Sequence, residues 1–187
     1  MSSRLVFLLY ATLSIVLTWP VAAGIGSIVH MGAELIAVMA GVPMMHIPYK
    51  GVADAYPAVA TGQADWMIGS PISALPLIRA GRLKAIAVTS KVRAKALPDV
   101  PTVAESGLPG YDVVAWFGML APARTPPAIV AKLSEEARRS LQTPEVARRM
   151  EIEGTDTVGN TPQEFAKEVK IEYDKWLALV KKTGMKF

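Results

Sequence analysis

The sequence predicts an α/β layer fold with a mainly parallel sheet. Short apolar runs alternate with helical patterns, and the connections between them are brief Gly-, Ser- and Pro-containing turns. A 187-residue chain with 51% apolar and 19% charged residues can bury one good core or two small lobes, and it does not have the composition of a disordered protein.

The first 23 residues, MSSRLVFLLYATLSIVLTWPVAA, pair Arg4 with an apolar centre and the small-residue end Val21-Ala22-Ala23. This pattern predicts a signal peptide at 1–23, cleaved after Ala23. An uncleaved anchor is the main alternative, because the apolar stretch is nearly long enough to span a bilayer; a buried core segment and a mis-called start are the others.

From Ser27, apolar residues at Ile28, Met31, Leu35, Ile36 and Met39 share one helical face, which Gly41 terminates. Met44 to Ile47 is predicted as a strand, stopped by Pro48 and followed by the turn Tyr49-Lys50-Gly51. The next helix contains Pro57, which either kinks it or marks its true first turn. Asp65 to Ile68 is a second predicted strand, Gly69-Ser70-Pro71 a turn, Ser73 to Ala80 a helix, and Leu83 to Thr89 a third strand.

A Pro- and Gly-rich excursion follows, in which Thr102 and Glu105 are spaced as a capping box. Asp112 to Pro122 is an apolar run predicted to be a strand crossing between lobes. Beyond it, Thr125-Pro126, Thr143-Pro144 and Thr161-Pro162 each suit a helix start, and Glu164 completes a capping box at the last. In the final helix, Phe165, Val169, Tyr173, Trp176 and Val180 fall on one predicted inner face.

Several kinds of chemistry find no support. The chain has no cysteine and only two histidines, His30 and His46, so thiol catalysis and Cys- or His-rich zinc sites are excluded. There is no G-x-S-x-G, Walker or dinucleotide fingerprint, and no nucleophile stands near a base in sequence. No catalytic residue, metal or cofactor is expected. The formal charge of +4 is scattered, with no basic run of the kind that holds nucleic acid. Glu135-Glu136 beside Arg138-Arg139 suits a solvated helix face.

Anion binding fits better. Gly24 to Ser27 and Tyr49 to Gly51 each place glycine at a helix N-terminus, where unpaired N–H groups carry partial positive charge. Gly69-Ser70 adds a third turn with a hydroxyl. His30, one turn into its helix, is read as a core or capping residue or as a ligand contact.

Taken in order, GIGSIVHMGAELIAVMAGVPMMHIPYKG, GQADWMIGSPISALPLIRAGRLKAIAVTS and LPDVPTVAESGLPGYDVVAWFGMLAPARTP closely resemble the Bug (TctC-like) family. These are the extracytoplasmic solute-binding proteins of tripartite tricarboxylate transporters. The resemblance runs from Gly24 to the C-terminus. It implies a type II periplasmic-binding-protein fold, in which two α/β lobes close on a small carboxylate that passes to membrane permease subunits. On this basis residues 24–112 form lobe two, and 113–187 form a crossover strand and the C-terminal helices of lobe one. The ligand contacts carried over are Gly24, Gly26, Ser27, Tyr49, Lys50, Gly51, Gly69 and Ser70.

The resemblance also implies departures. Val52 and Pro57 follow the Tyr-Lys-Gly turn where relatives often have small or hydroxylic residues. Relatives carry most of lobe one ahead of the Gly-Ser loop, whereas here a leader-like sequence precedes Gly24. The strand leading into that loop is therefore expected to be missing, and lobe one truncated. The expected function is periplasmic capture of a small carboxylate, weakened by the half cleft, with self-association through the exposed lobe-one surface. The alternative is an interaction or sensor module that keeps the fold without binding ligand.

Overall fold

A computed structural model of the chain describes residues 20–23, 26–152 and 155–184. The chain divides into two compact units, one ending at Ala115 and the other running from Trp116 to Lys186.

The N-terminal unit is organised by a three-stranded parallel sheet in the order β2-β1-β3. Its central strand β1 is Pro20–Ala23, flanked by β2 (Ile47–Tyr49) and β3 (Trp66–Met67). Val21 pairs with Ile47 on one side and Met67 on the other. This corrects the expectation that the strand before the Gly-Ser loop is missing. A short apolar run with a small-residue end satisfies both a leader and a central strand, and hydropathy alone does not separate them. Cleavage after Ala23 would detach the centre of this sheet. The rest of the predicted leader, residues 1–19, lies outside the described residues.

Strand β2 lies three residues beyond the start of the predicted strand and contains Pro48. Proline lacks the donor a central strand needs, and it is accepted here because β2 is an outer strand of the described sheet. Helix α1 (Ile28–Ala40) is capped by Ser27 and ends at Gly41, whose φ of 66° is the left-handed conformation of a glycine C-cap. Its buried residues are His30, Met31, Gly32, Ala33 and Ile36, while Met39 is exposed. The buried stripe is thus turned from the predicted face toward the small residues, which allow close packing. A Cβ on Gly32 would sit 3.0 Å from Ile68 Cδ1 and 3.2 Å from Tyr111 Oη.

Helix α2 (Val52–Ala60) keeps Pro57 in its interior, and helix α3 (Pro71–Arg79) keeps Pro76. Ala55, Ala58 and Ala64 form a small buried cluster against which Tyr49, Val59 and Met67 pack. The strand predicted at Leu83 to Thr89 does not form. Val88 makes one isolated parallel bridge to Thr102, and Thr89 O accepts the Val113 amide at 2.9 Å. The Thr102–Glu105 capping box is present, with Thr102 N–H donating to Glu105 Oε2 at 2.7 Å and Glu105 N–H to Thr102 Oγ1 at 3.0 Å. It closes a turn rather than a helix.

The predicted strand Asp112 to Pro122 is also absent as a strand. A strand requires a partner along its edge, and apolar content alone does not supply one. Within this segment Phe117 is 93% exposed and Leu120 82%.

In the C-terminal unit, Trp116 meets Phe165 edge to face at 5.2 Å. A Cβ on Gly118 would lie 2.8 Å from Phe165 Cε1, so the ring requires glycine beneath it. The helices are α4 (Pro127–Leu141), α5 (Pro144–Ile152) and α6 (Pro162–Thr183). The first starts one residue later than Thr125-Pro126 suggests, with Pro126 at the cap. The predicted Thr161–Glu164 capping box opens α6. On α4, Arg139 pairs with Glu135 and Glu136 on an exposed face, as its spacing indicates. On α6 the buried residue is Leu179, whereas Tyr173 and Val169 of the predicted inner face are exposed. Periodicity identifies the apolar face of a helix but not what covers it. Among the described residues no helix is long and apolar enough to cross a membrane.

Candidate functional site

The parallel sheet brings the predicted site residues together. Each strand runs into a turn and then a helix, so all three turns open at the carboxyl edge of one sheet. Gly26-Ser27 follows β1, Lys50-Gly51 follows β2, and Gly69-Ser70 follows β3. In α/β proteins that edge is where ligands bind, because helix N-termini converge there. Gly24 lies outside the described residues.

The first turn is held by the helix it precedes. Gly26 has a φ of 77°, which favours glycine. Its N–H donates to His30 Nδ1 at 3.0 Å, and the His30 N–H donates to Ser27 Oγ at 3.3 Å. Ser27 is therefore the N-cap of α1, and His30 serves both as a cap to Gly26 and as a buried residue. Burial pushes the His30 imidazole below its ordinary range, partly offset by Glu34, whose Oε1 lies 3.7 Å from Nε2. His46 stacks on His30 with ring centroids 4.1 Å apart. Neither of its ring nitrogens has a hydrogen-bond partner among the described residues, and burial followed by the neighbouring His30 depresses its pKa as well.

The second turn is open. Tyr49 is the last residue of β2 and is half-buried against the alanine cluster, so it forms a wall. Lys50 is exposed. Gly51 is the N-cap of α2 with no side-chain cap, which leaves the first-turn amides without that partner. Its φ of −163° is extended backbone, and a Cβ there would meet nothing within 4 Å. Neither conformation nor packing among the described residues demands glycine at position 51.

The third turn is shaped by a residue that sequence reasoning missed. Tyr56, buried on α2, donates its hydroxyl to Ser70 O at 3.3 Å. Its ring lies so close to Gly69 that an added Cβ would clash with Oη and sit 3.1 Å from Cζ. Burial raises the Tyr56 pKa, so the hydroxyl stays protonated and able to donate at neutral pH. A signal was available, since Tyr56 is the one aromatic in a helix otherwise rich in alanine. Ser70 caps α3, with Oγ accepting from Ser73 N–H at 3.4 Å.

The site has backbone amides, hydroxyls and one lysine, but no acid–base pair with a nucleophile. Among the described residues no three His, Cys, Asp or Glu side chains are grouped to hold a metal. The arrangement can hold an anion.

The model of a family described as tripartite tricarboxylate transporter family receptor matches residues 17–185, a span that includes β1. The chain is 37% identical over 159 residues to a UPF0065 protein encoded in the tcbD-tcbE intergenic region of Pseudomonas sp. (strain P51). That match covers 84% of this chain and 47% of the relative, so the chain spans about half the relative's length. Among solved structures, R. palustris Rpa4515 with adipate superimposes with a TM-score of 0.83 at 30% identity, covering 98% of this chain and 62% of that one. The periplasmic binding protein BugD superimposes with a TM-score of 0.75 at 36% identity, covering 89% and 56%. The fold is accordingly part of the α/β periplasmic solute-binding fold.

Proposed function

The chain belongs to the tripartite tricarboxylate transporter receptor family, and from that premise we propose that it captures a small carboxylate at the three-turn edge of its N-terminal sheet. The family consists of extracytoplasmic solute-binding receptors rather than enzymes, and no catalysis is assigned to this chain.

The observation that carries the proposal is the convergence of Gly26-Ser27, Lys50-Gly51 and Gly69-Ser70 at the carboxyl ends of three adjacent parallel strands. Helix N-termini there favour a negative charge, and Gly51 leaves room that no described residue fills. The adipate in Rpa4515 supports a dicarboxylate as the ligand class. In this reading Tyr49 and Tyr56 shape the wall, Lys50 attracts the anion, and the backbone amides hold it. The N-terminal unit acts as the ligand-binding lobe, in the periplasm, delivering its ligand to permease subunits. The exposed Phe117 and Leu120 support self-association through the C-terminal unit.

The test is a thermal melt of the full chain with and without adipate and a panel of other small carboxylates. A ligand specific to the native state raises the melting temperature with concentration by mass action. A cooperative melt indifferent to every acid would sink the proposal and favour an interaction module that keeps the fold.

A further inference from the structure

The stacked pair His30 and His46 lies behind the first turn, and its chemistry is not used by carboxylate binding itself. His30 grips the turn at two points. Its main-chain N–H donates to Ser27 Oγ at 3.3 Å, and its ring Nδ1 accepts the Gly26 N–H at 3.0 Å. The second contact requires a bare Nδ1, so neutral His30 carries its proton on Nε2, the atom 3.7 Å from Glu34 Oε1.

We propose that His30 is the positioning residue of the first ligand turn: its neutral Nδ1 holds the Gly26 amide, and proton uptake by the His30–His46 pair releases it. The importance of the turn for affinity rests on the function proposed above, whereas the hydrogen bond and its release do not.

A proton on Nδ1 would set two donors face to face at 3.0 Å, so the contact cannot survive protonation. An imidazolium one turn into α1 would also oppose the positive end of the helix. The surrounding charges do not supply a strong counterion. Glu34, on the same helix, is the carboxylate facing His30, at 3.7 Å. His46, from the loop before β2, adds no charge while neutral and repels a second proton once His30 is charged. From the segment packed over Gly32, Tyr111 presents a hydroxyl bound to Gly32 O, and the Asp112 carboxylate is engaged by the Lys91 amide. Both His46 ring nitrogens are buried with no hydrogen-bond partner among the described residues, so a charge there would also be poorly solvated.

The test is nitrogen-detected NMR of the 15N-labelled full chain from pH 7.5 to 5, without ligand. The expected result is an Nε2–H tautomer for His30 at pH 7.5 and a Gly26 amide whose protection, its exchange rate taken against the intrinsic rate at the same pH, falls as His30 takes its proton. A loss of protection of roughly three- to tenfold corresponds to one lost hydrogen bond. His30→Asn places an uncharged acceptor near the position of Nδ1 and should keep the Gly26 amide protected at every pH, while His30→Leu should expose it at every pH. An Nδ1–H tautomer, or a Gly26 amide indifferent to the protonation of His30, would overturn the proposal. Titration with succinate adds a second readout. Referred to the concentration of the succinate dianion at each pH, affinity should weaken several-fold in acid for the natural chain and stay level for His30→Asn. Affinity that rises in acid would mean that the imidazolium attracts the anion directly, which overturns the positioning role. A chain that binds no succinate but shows the expected Gly26 behaviour would leave the positioning role standing and count against the proposed function instead.

Discussion

The Tyr111 hydroxyl donates to the backbone oxygen of Gly32 at 3.1 Å, joining residues 79 apart in the chain. The ring is almost fully buried, and the absence of a side chain on Gly32 lets it approach helix α1. This hydrogen bond helps tie the Pro- and Gly-rich segment to the first helix after the central strand. Burial holds the Tyr111 pKa far above the ordinary tyrosine range, so the donor is present at any working pH. Tyr111→Phe should therefore lower stability by about 1 kcal/mol, the net worth of one hydrogen bond. Urea unfolding of the two proteins side by side would read the difference, and an unchanged midpoint would count against the contact.

Gly69→Ala should destabilise by about 1–3 kcal/mol, the usual cost of overpacking, because its Cβ would run into the Tyr56 ring. Replacing Tyr56 by Leu removes the obstacle. The double substitution should then cost less than the sum of the two single ones, and a double-mutant cycle on denaturant midpoints measures that coupling. Strict additivity would show that the two residues do not press on each other.

Gly51→Ala separates folding from binding. Its extended backbone accepts alanine, so the loss of unfolded-state freedom and the poorer N-cap should nearly cancel. Stability should stay within about 0.5 kcal/mol of the natural chain. If the turn holds a carboxylate, the stabilisation of the melt by adipate should nonetheless disappear. Retained stabilisation would move the ligand away from this turn.

Stability should fall in acid on account of the two histidines. Both have folded-state pKa values below 6.5, mainly because they are buried. The unfolded chain therefore binds protons first as the pH drops. The contribution is fully present above about pH 6.5 and is lost progressively as the pH falls toward the folded-state values. Urea midpoints between pH 7.5 and 5 should decline in the natural chain and decline less in His46→Phe, which keeps a ring in the stack.

The exposed apolar side chains of the C-terminal unit should promote association. Light scattering after size exclusion is expected to give a mass above that of one chain, and the double substitution Phe117→Ser, Leu120→Ser should lower it. A monomer at every concentration would remove self-association from the proposed function.

Local rules made much of the molecule legible. The caps at Thr161 and Gly41, the alternation of short strands with helices, and the three Gly-bearing turns all rest on interactions within a few residues. The same local rules missed the central strand Pro20–Ala23, whose small apolar residues also suit the end of a leader. They also predicted strands at Leu83 to Thr89 and Asp112 to Pro122, where apolar and β-branched residues find no continuous edge to pair with.

The sequence by itself determined the order of the helices, the chemistry of the turns and the family resemblance, because these depend on residue type and near spacing. Only the tertiary structure decided that β1 lies between β2 and β3, so that three turns scattered over 45 residues meet at one edge. It alone set Tyr56 over Gly69 and His30 against Gly26 and His46. Pairing partners and close approach belong to the packed chain, and no local propensity encodes which distant backbone will supply the edge, the acceptor or the space.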